Sequence, residues 1–153
     1  MSDPGKKPSG EKGSGSRPTH RFRVLLNPWL ALCSTLVWMG VIFWASAHTS
    51  DEIPPPPFPH ADKVIHAGVY GLLGSLLFHT VGCFRKTWDY RAAWMALILG
   101  SLYGISDELH QTQVPGRTAD TLDWMADTLG TSAGFFWRFL LVRLRSKQVP
   151  HES

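Results

Sequence analysis

Three groups of polar and ionisable residues recur in this chain at helical spacing. Asp62, His66 and Tyr70 are four residues apart, so they fall on one helical face. Asp107, His110 and Gln111 follow an i, i+3, i+4 pattern, with Glu108 beside them. Asp120, Asp123 and Asp127 make a third stripe, and Arg117 closes the polar stretch "SDELHQTQVPGR" that starts at Ser106. Residues of these types can do three kinds of chemistry. His66 and His110, with Asp107, Glu108 or Asp62, can hold a divalent metal. The same side chains can act as general acid and base. Arg117 can clamp a phosphate or carboxylate bidentately. The plainer readings are structural. Arg117 would then pair with Asp120, Asp123 or Asp107, and the histidines would bond carboxylates across helix interfaces. Lys63 would anchor a helix end or pair with an acid, and Tyr70 would pack with its hydroxyl bonded.

These stripes border four apolar stretches, at about 28–47, 64–84, 92–106 and 124–142. About 20 apolar residues cross the ~30 Å core of a bilayer. The third stretch is short, and completes a crossing only with the following "DELHQ" or in a thin bilayer. Gly68, Gly71 and Gly74 in the second, and Gly130 and Gly134 in the fourth, are spaced for close helix packing. The expected architecture is all-α: a polytopic membrane four-helix bundle. Residues 1–23 read as a disordered, basic cytoplasmic tail, 24–143 as the transmembrane domain and 144–153 as a short polar cytoplasmic tail. Two alternatives compete. The first stretch can be a signal peptide cleaved after "ASA", residues 45–47, or the four helices can form the buried core of a soluble bundle.

The mean hydropathy of −0.06 hides this pattern, because the polar residues are gathered into tails and short gaps. Charge orients the helices. The segments before the first stretch, between the second and third, and after the fourth hold Lys6, Lys7, Lys12, Arg17, Arg21, Arg23, Arg85, Lys86, Arg91, Arg143, Arg145 and Lys147. The opposite side holds Lys63 and Arg117 alone. This is the positive-inside distribution, and it puts both termini in the cytoplasm. It also accounts for the pI of 9.1 without nucleic acid. Acids distribute the other way, with Asp51, Glu52, Asp62, Asp107, Glu108, Asp120, Asp123 and Asp127 at the outer ends. Trp29 and Trp137 suit the inner interface, Trp44 and Trp124 the outer one. The Pro-rich segment from Pro54 to His60 is expected to lie stiffly across the outer rim. Cys33 and Cys83 both fall in apolar segments, so no disulfide framework is expected.

The stretches "DKVIHAGVYGLLG" and "SDELHQTQVPGRTADTLDWMADTLGTSAG" resemble the VanZ-like membrane proteins over roughly residues 25–142. The matching marks are D-K-x-x-H-x-x-x-Y opening the second helix, D-E-x-x-Q closing the third, a following P-G-R, and an acid opening the fourth. They fall on Asp62, Lys63, His66, Tyr70, Asp107, Glu108, Gln111, Arg117 and Asp123. The family usually has Asn four residues after that last Asp, where this chain has Asp127. The resemblance implies a multi-pass protein of the bacterial cytoplasmic membrane. Its founding member is associated with glycopeptide (teicoplanin) resistance, which points to cell-envelope substrates.

Together these readings give an outward-facing polar pocket formed by Asp62, Lys63, His66, Tyr70, Asp107, Glu108, His110, Gln111, Arg117, Asp123 and Asp127. Its expected ligand is an anionic envelope lipid or cell-wall precursor, met by Arg117 with Lys63 and the histidines beside it. His66, Asp107, Glu108 and His110 are the catalytic candidates if the protein is a small membrane hydrolase or transferase. A purely structural role for the cluster is the third reading. No nucleotide loop, nucleophile elbow or cofactor fingerprint is present, and a divalent metal is the one cofactor the residues suggest. Ser46 and Ser106 lack the context of an activated serine.

Overall fold

The computed structural model describes residues 27–49 and 58–147, with side chains to 144. The expected tail at 1–23, residues 148–153 of the one expected at 144–153, and most of the Pro-rich segment with Asp51 and Glu52 lie outside the described residues, whereas 144–147 continue the last helix. Among the described residues the chain is all-α, with no strand. Helix α1 spans Pro28–Ser46, α2 Ala61–Arg85, α3 Tyr90–Gln111 and α4 Thr121–Lys147.

Local chemistry explains the helix ends. Asn27 caps α1 by accepting from the Trp29 and Leu30 amides, and Pro28 follows at the first turn. Asp89 caps α3 through the Ala92 amide at 3.0 Å. The connection from α2 is short because Lys86 turns the chain with φ 58° and returns its amide to the Gly82 carbonyl. The Trp88 indole then lies over Gly82, where any Cβ would strike it. Helix α3 runs beyond Ser106 to Gln111, so "DELHQ" is helical and completes the third stretch.

Helix α2 is central. It packs on α4, α3 and α1, whereas α1 and α4 make no contact among the described residues. The α2–α4 seam is built from backbone. A Cβ on Gly74 would run into the Thr131 backbone, one on Gly130 into the Ala67 carbonyl, and one on Gly134 into the Gly71 carbonyl. The expected small-residue packing is therefore present, with one correction: a Cβ on Gly68 would meet nothing within 4 Å. Tyr70, Leu73, Leu77, Phe78, Ala92 and Ala96 form the apolar core between these helices, with Ile42 from α1.

Large apolar side chains also cover the outward helix faces. Exposed residues include Trp29, Val37 and Trp44 on α1, Val64 and Ile65 on α2, Trp94, Ile98 and Leu102 on α3, and Leu129, Phe136 and Trp137 on α4. Trp124 turns toward α3, donating to Ser101 Oγ at 3.1 Å. Helices α1 and α2 are each long and apolar enough to cross a membrane. Helices α3 and α4 have the length, but their charged residues, acids near the site and basic residues toward the end of α4, lower their mean hydropathy.

Candidate functional site

The polar stripes meet at one end of the helices, where α1 and α3 finish and α2 and α4 begin. Lys63 stands at the rim. Its ammonium lies 2.9 Å from Asp62 Oδ2, 2.5 Å from Asp120 Oδ2 and 2.7 Å from Asp123 Oδ1. Asp120 ties the rim together. Its Oδ1 accepts from the Leu122 amide at the start of α4, and its own amide donates to Glu108 Oε2 at 2.7 Å. The Lys63 ammonium holds the Asp120 carboxyl below the usual carboxylate range.

The loop between α3 and α4 aims Arg117. Val114, Pro115, Gly116 and Arg117 form a turn closed by the Arg117 amide on the Val114 carbonyl at 3.1 Å. Gly116 takes φ 77°, which the third position of this Pro-Gly turn requires. The Arg117 guanidinium donates to Gln111 Oε1 at 2.6 Å. Gln111 passes the link on, donating to Asp107 Oδ2 at 3.2 Å, and Ser46 of α1 donates to the same oxygen at 2.9 Å. Both amide ends of Gln111 are used, so its orientation is set by its partners.

Deeper in, His66 Nδ1 lies 2.9 Å from Asp127 Oδ1. Asp127 is fully buried and its Oδ2 has no hydrogen-bond partner; Glu108 Oε1, also buried, has none either. His66, Glu108 and Asp127 each offer a donor atom, all within 4.8 Å of one another. Between rim and floor lies a cavity of about 420 Å³. Its walls are Ser46 and Ile42 from α1, Lys63, His66 and Tyr70 from α2, Asp107 and Gln111 from α3, Arg117 and Thr118 from the loop, and Asp123 from α4.

A family model described as VanZ/LLP1 matches residues 29–143. The chain belongs to the VanZ/LLP1 family. Searches of curated proteins and of solved structures give no match. Every site residue named above lies inside the VanZ/LLP1 span.

The structure brings most of the expected residues together. Asp62, Lys63, His66, Tyr70, Asp107, Gln111, Arg117 and Asp123 line the cavity, with Glu108 and Asp127 linked to them. His110 is the exception. It stacks on Phe43 of α1, ring centroids 4.3 Å apart, and does not line the cavity. Its offset from Asp107 is opposite in sense to that of Gln111, so the two diverge around the helix. The expected ion pair of Arg117 with Asp120, Asp123 or Asp107 is replaced by the Gln111 bond; no carboxylate among the described residues is within ion-pair distance of it. Two positions were absent from the expected site. Ser46 orients Asp107, and Asp120 joins α2, α3 and α4. The signal for Asp120 was its place three residues before Asp123.

Proposed function

We propose that all four helices cross the bacterial cytoplasmic membrane, with both termini inside. We propose further that the cavity recognises an anionic cell-envelope molecule at the outer leaflet. The apolar belts on every helix support the crossing, because water rarely tolerates so continuous an oily surface. The inward acids of α3 and α4 fit a membrane-buried polar interior. Basic residues at the opposite end, among them Arg85, Lys86, Arg91 and Arg143, support the orientation. In that orientation, a cysteine at Thr118 should react with an impermeant thiol reagent in intact cells, and one at Lys86 should stay protected. The reverse pattern would turn the protein over.

One observation carries the ligand reading. Arg117 faces the cavity with donors to spare, anchored through a neutral amide rather than an acid. Lys63 was expected beside it, but its charge is taken by Asp62, Asp120 and Asp123. Arg117 therefore binds the anion without Lys63. Phosphate-bearing lipids, cell-wall precursors and the glycopeptides that target them are the candidates. In detergent, the true ligand should raise the apparent melting temperature of the wild type by mass action. Arg117→Ala should weaken that effect about 10–100-fold, the loss of a charged hydrogen bond. If no such ligand stabilises the wild type and Arg117→Ala simply melts earlier, the cluster is a structural staple.

A second reading is favoured by the cluster of His66, Glu108 and Asp127, of which His66 lines the cavity. There the protein is a membrane-embedded hydrolase or transferase. Its turnover should then vanish in His66→Ala or Asp107→Ala while the protein still folds.

A further inference from the structure

We infer that His66, Glu108 and Asp127 together bind one divalent transition-metal ion. This inference stands on their geometry and burial and is independent of the anion reading at Arg117.

The residues come from three helices: His66 from α2, Glu108 from α3 and Asp127 from α4. Their donor atoms lie within 4.8 Å of one another. Ligands on a metal sphere of about 2.1 Å radius stand about 3–4 Å apart, so small side-chain rotations close the set. The glycine seam fixes two of the three. Gly130 and Gly134 hold the α4 backbone against Ala67 and Gly71, beside His66 and Asp127.

Charge supplies the independent argument. Asp127 and Glu108 are 0% and 6% exposed, and each has one oxygen without a hydrogen-bond partner. A buried carboxylate without compensation is costly. Among the described residues no lysine or arginine lies within ion-pair distance of either carboxylate, and Lys63 is taken by its rim acids. A protonated His66 would balance one of the two carboxylates. A divalent ion beside a neutral imidazole balances both and engages the orphan oxygens. The remaining coordination positions go to water or to an oxygen of a guest in the cavity that His66 lines.

The donor set of one imidazole and two carboxylates selects the metal class. Mixed nitrogen and oxygen donors suit Mn²⁺, Fe²⁺ and Zn²⁺, while Mg²⁺ prefers oxygen alone.

The test uses the full chain in detergent, stripped with chelator and titrated with Mn²⁺ and Zn²⁺. One equivalent should bind saturably and raise the melting temperature. Asp127→Asn and Glu108→Gln keep side-chain shape, and each should weaken binding about 10–100-fold. Asp89→Asn, an acid at the opposite end, should leave it unchanged. Pulsed electron paramagnetic resonance of the Mn²⁺ form should show coupling to one imidazole nitrogen, lost in His66→Gln. That spectrum of the wild type decides the matter even if the variants do not fold. No saturable binding up to about 1 mM, or Mn²⁺ binding without nitrogen coupling, overturns the inference.

Discussion

Lys63→Ala should destabilise the protein by about 2 kcal/mol, between the cost of breaking an exposed ion pair and that of stranding a buried charge. One ammonium serves three carboxylates. Asp62 and Asp120 are substantially exposed, with side chains at 50% and 40%, so water screens them; Asp123, at 12%, carries most of the cost. The test is denaturation in detergent of Lys63→Ala, Asp123→Asn and the double variant. The double variant should recover more than half of the loss, because it removes the stranded charge. The pH dependence follows from Asp120. Its folded carboxyl lies below the usual range because Lys63 donates to it. Its contribution is therefore present above the unfolded carboxylate value and lost as pH falls through the lowered one. The gap between wild type and Lys63→Ala should narrow on acidification. A Lys63→Ala variant within about 0.5 kcal/mol of wild type at neutral pH would reduce the rim to an ordinary surface network.

Gly130→Ala should cost about as much through an unrelated mechanism. The added methyl would press on the Ala67 carbonyl, which belongs to a helical backbone and cannot rotate away. Overpacking of this kind costs about 1–3 kcal/mol, and a rigid obstacle puts it at the upper end. The separation of α2 and α4 would grow, and with it the distance between His66 and Asp127. Loss of stability and loss of metal-dependent stabilisation should therefore appear together in Gly130→Ala. Gly68→Ala is the control: its methyl meets open space, and it should gain slightly from better helix propensity. Equal behaviour of the two variants would mean that the seam does not hold the helices.

The helices and the convergence of the polar stripes could be read from the sequence, since both rest on periodicity. Asp62, His66 and Tyr70 do share a face, running from rim to buried floor. What sequence could not supply was rotation of one helix against another. The i, i+3, i+4 pattern groups His110 with Asp107 and Gln111, but the partner helix decides which side of the stripe looks inward. Phe43 captured His110 because α1 flanks that side of α3. The choice of partner for Arg117 was equally hidden. Several carboxylates were close in sequence, yet the Pro-Gly turn aims the guanidinium back at Gln111. Ser46 ends α1 with no local motif, and its bond to Asp107 spans 61 residues of chain.

Helix α3 buries Gly100, Gly104, Asp107 and Glu108 while Ile98, Leu99 and Leu102 face outward. On the proposed crossing of α3, its tolerance to change runs opposite to that of a helix in a water-soluble protein. The outward positions constrain only oiliness, so one apolar residue can drift to another there without consequence. The inward glycines leave no room for a larger side chain, and the inward acids hold assigned bonds. Along this helix, variation among descendants of the chain would accumulate in its large greasy residues and spare its small and charged ones.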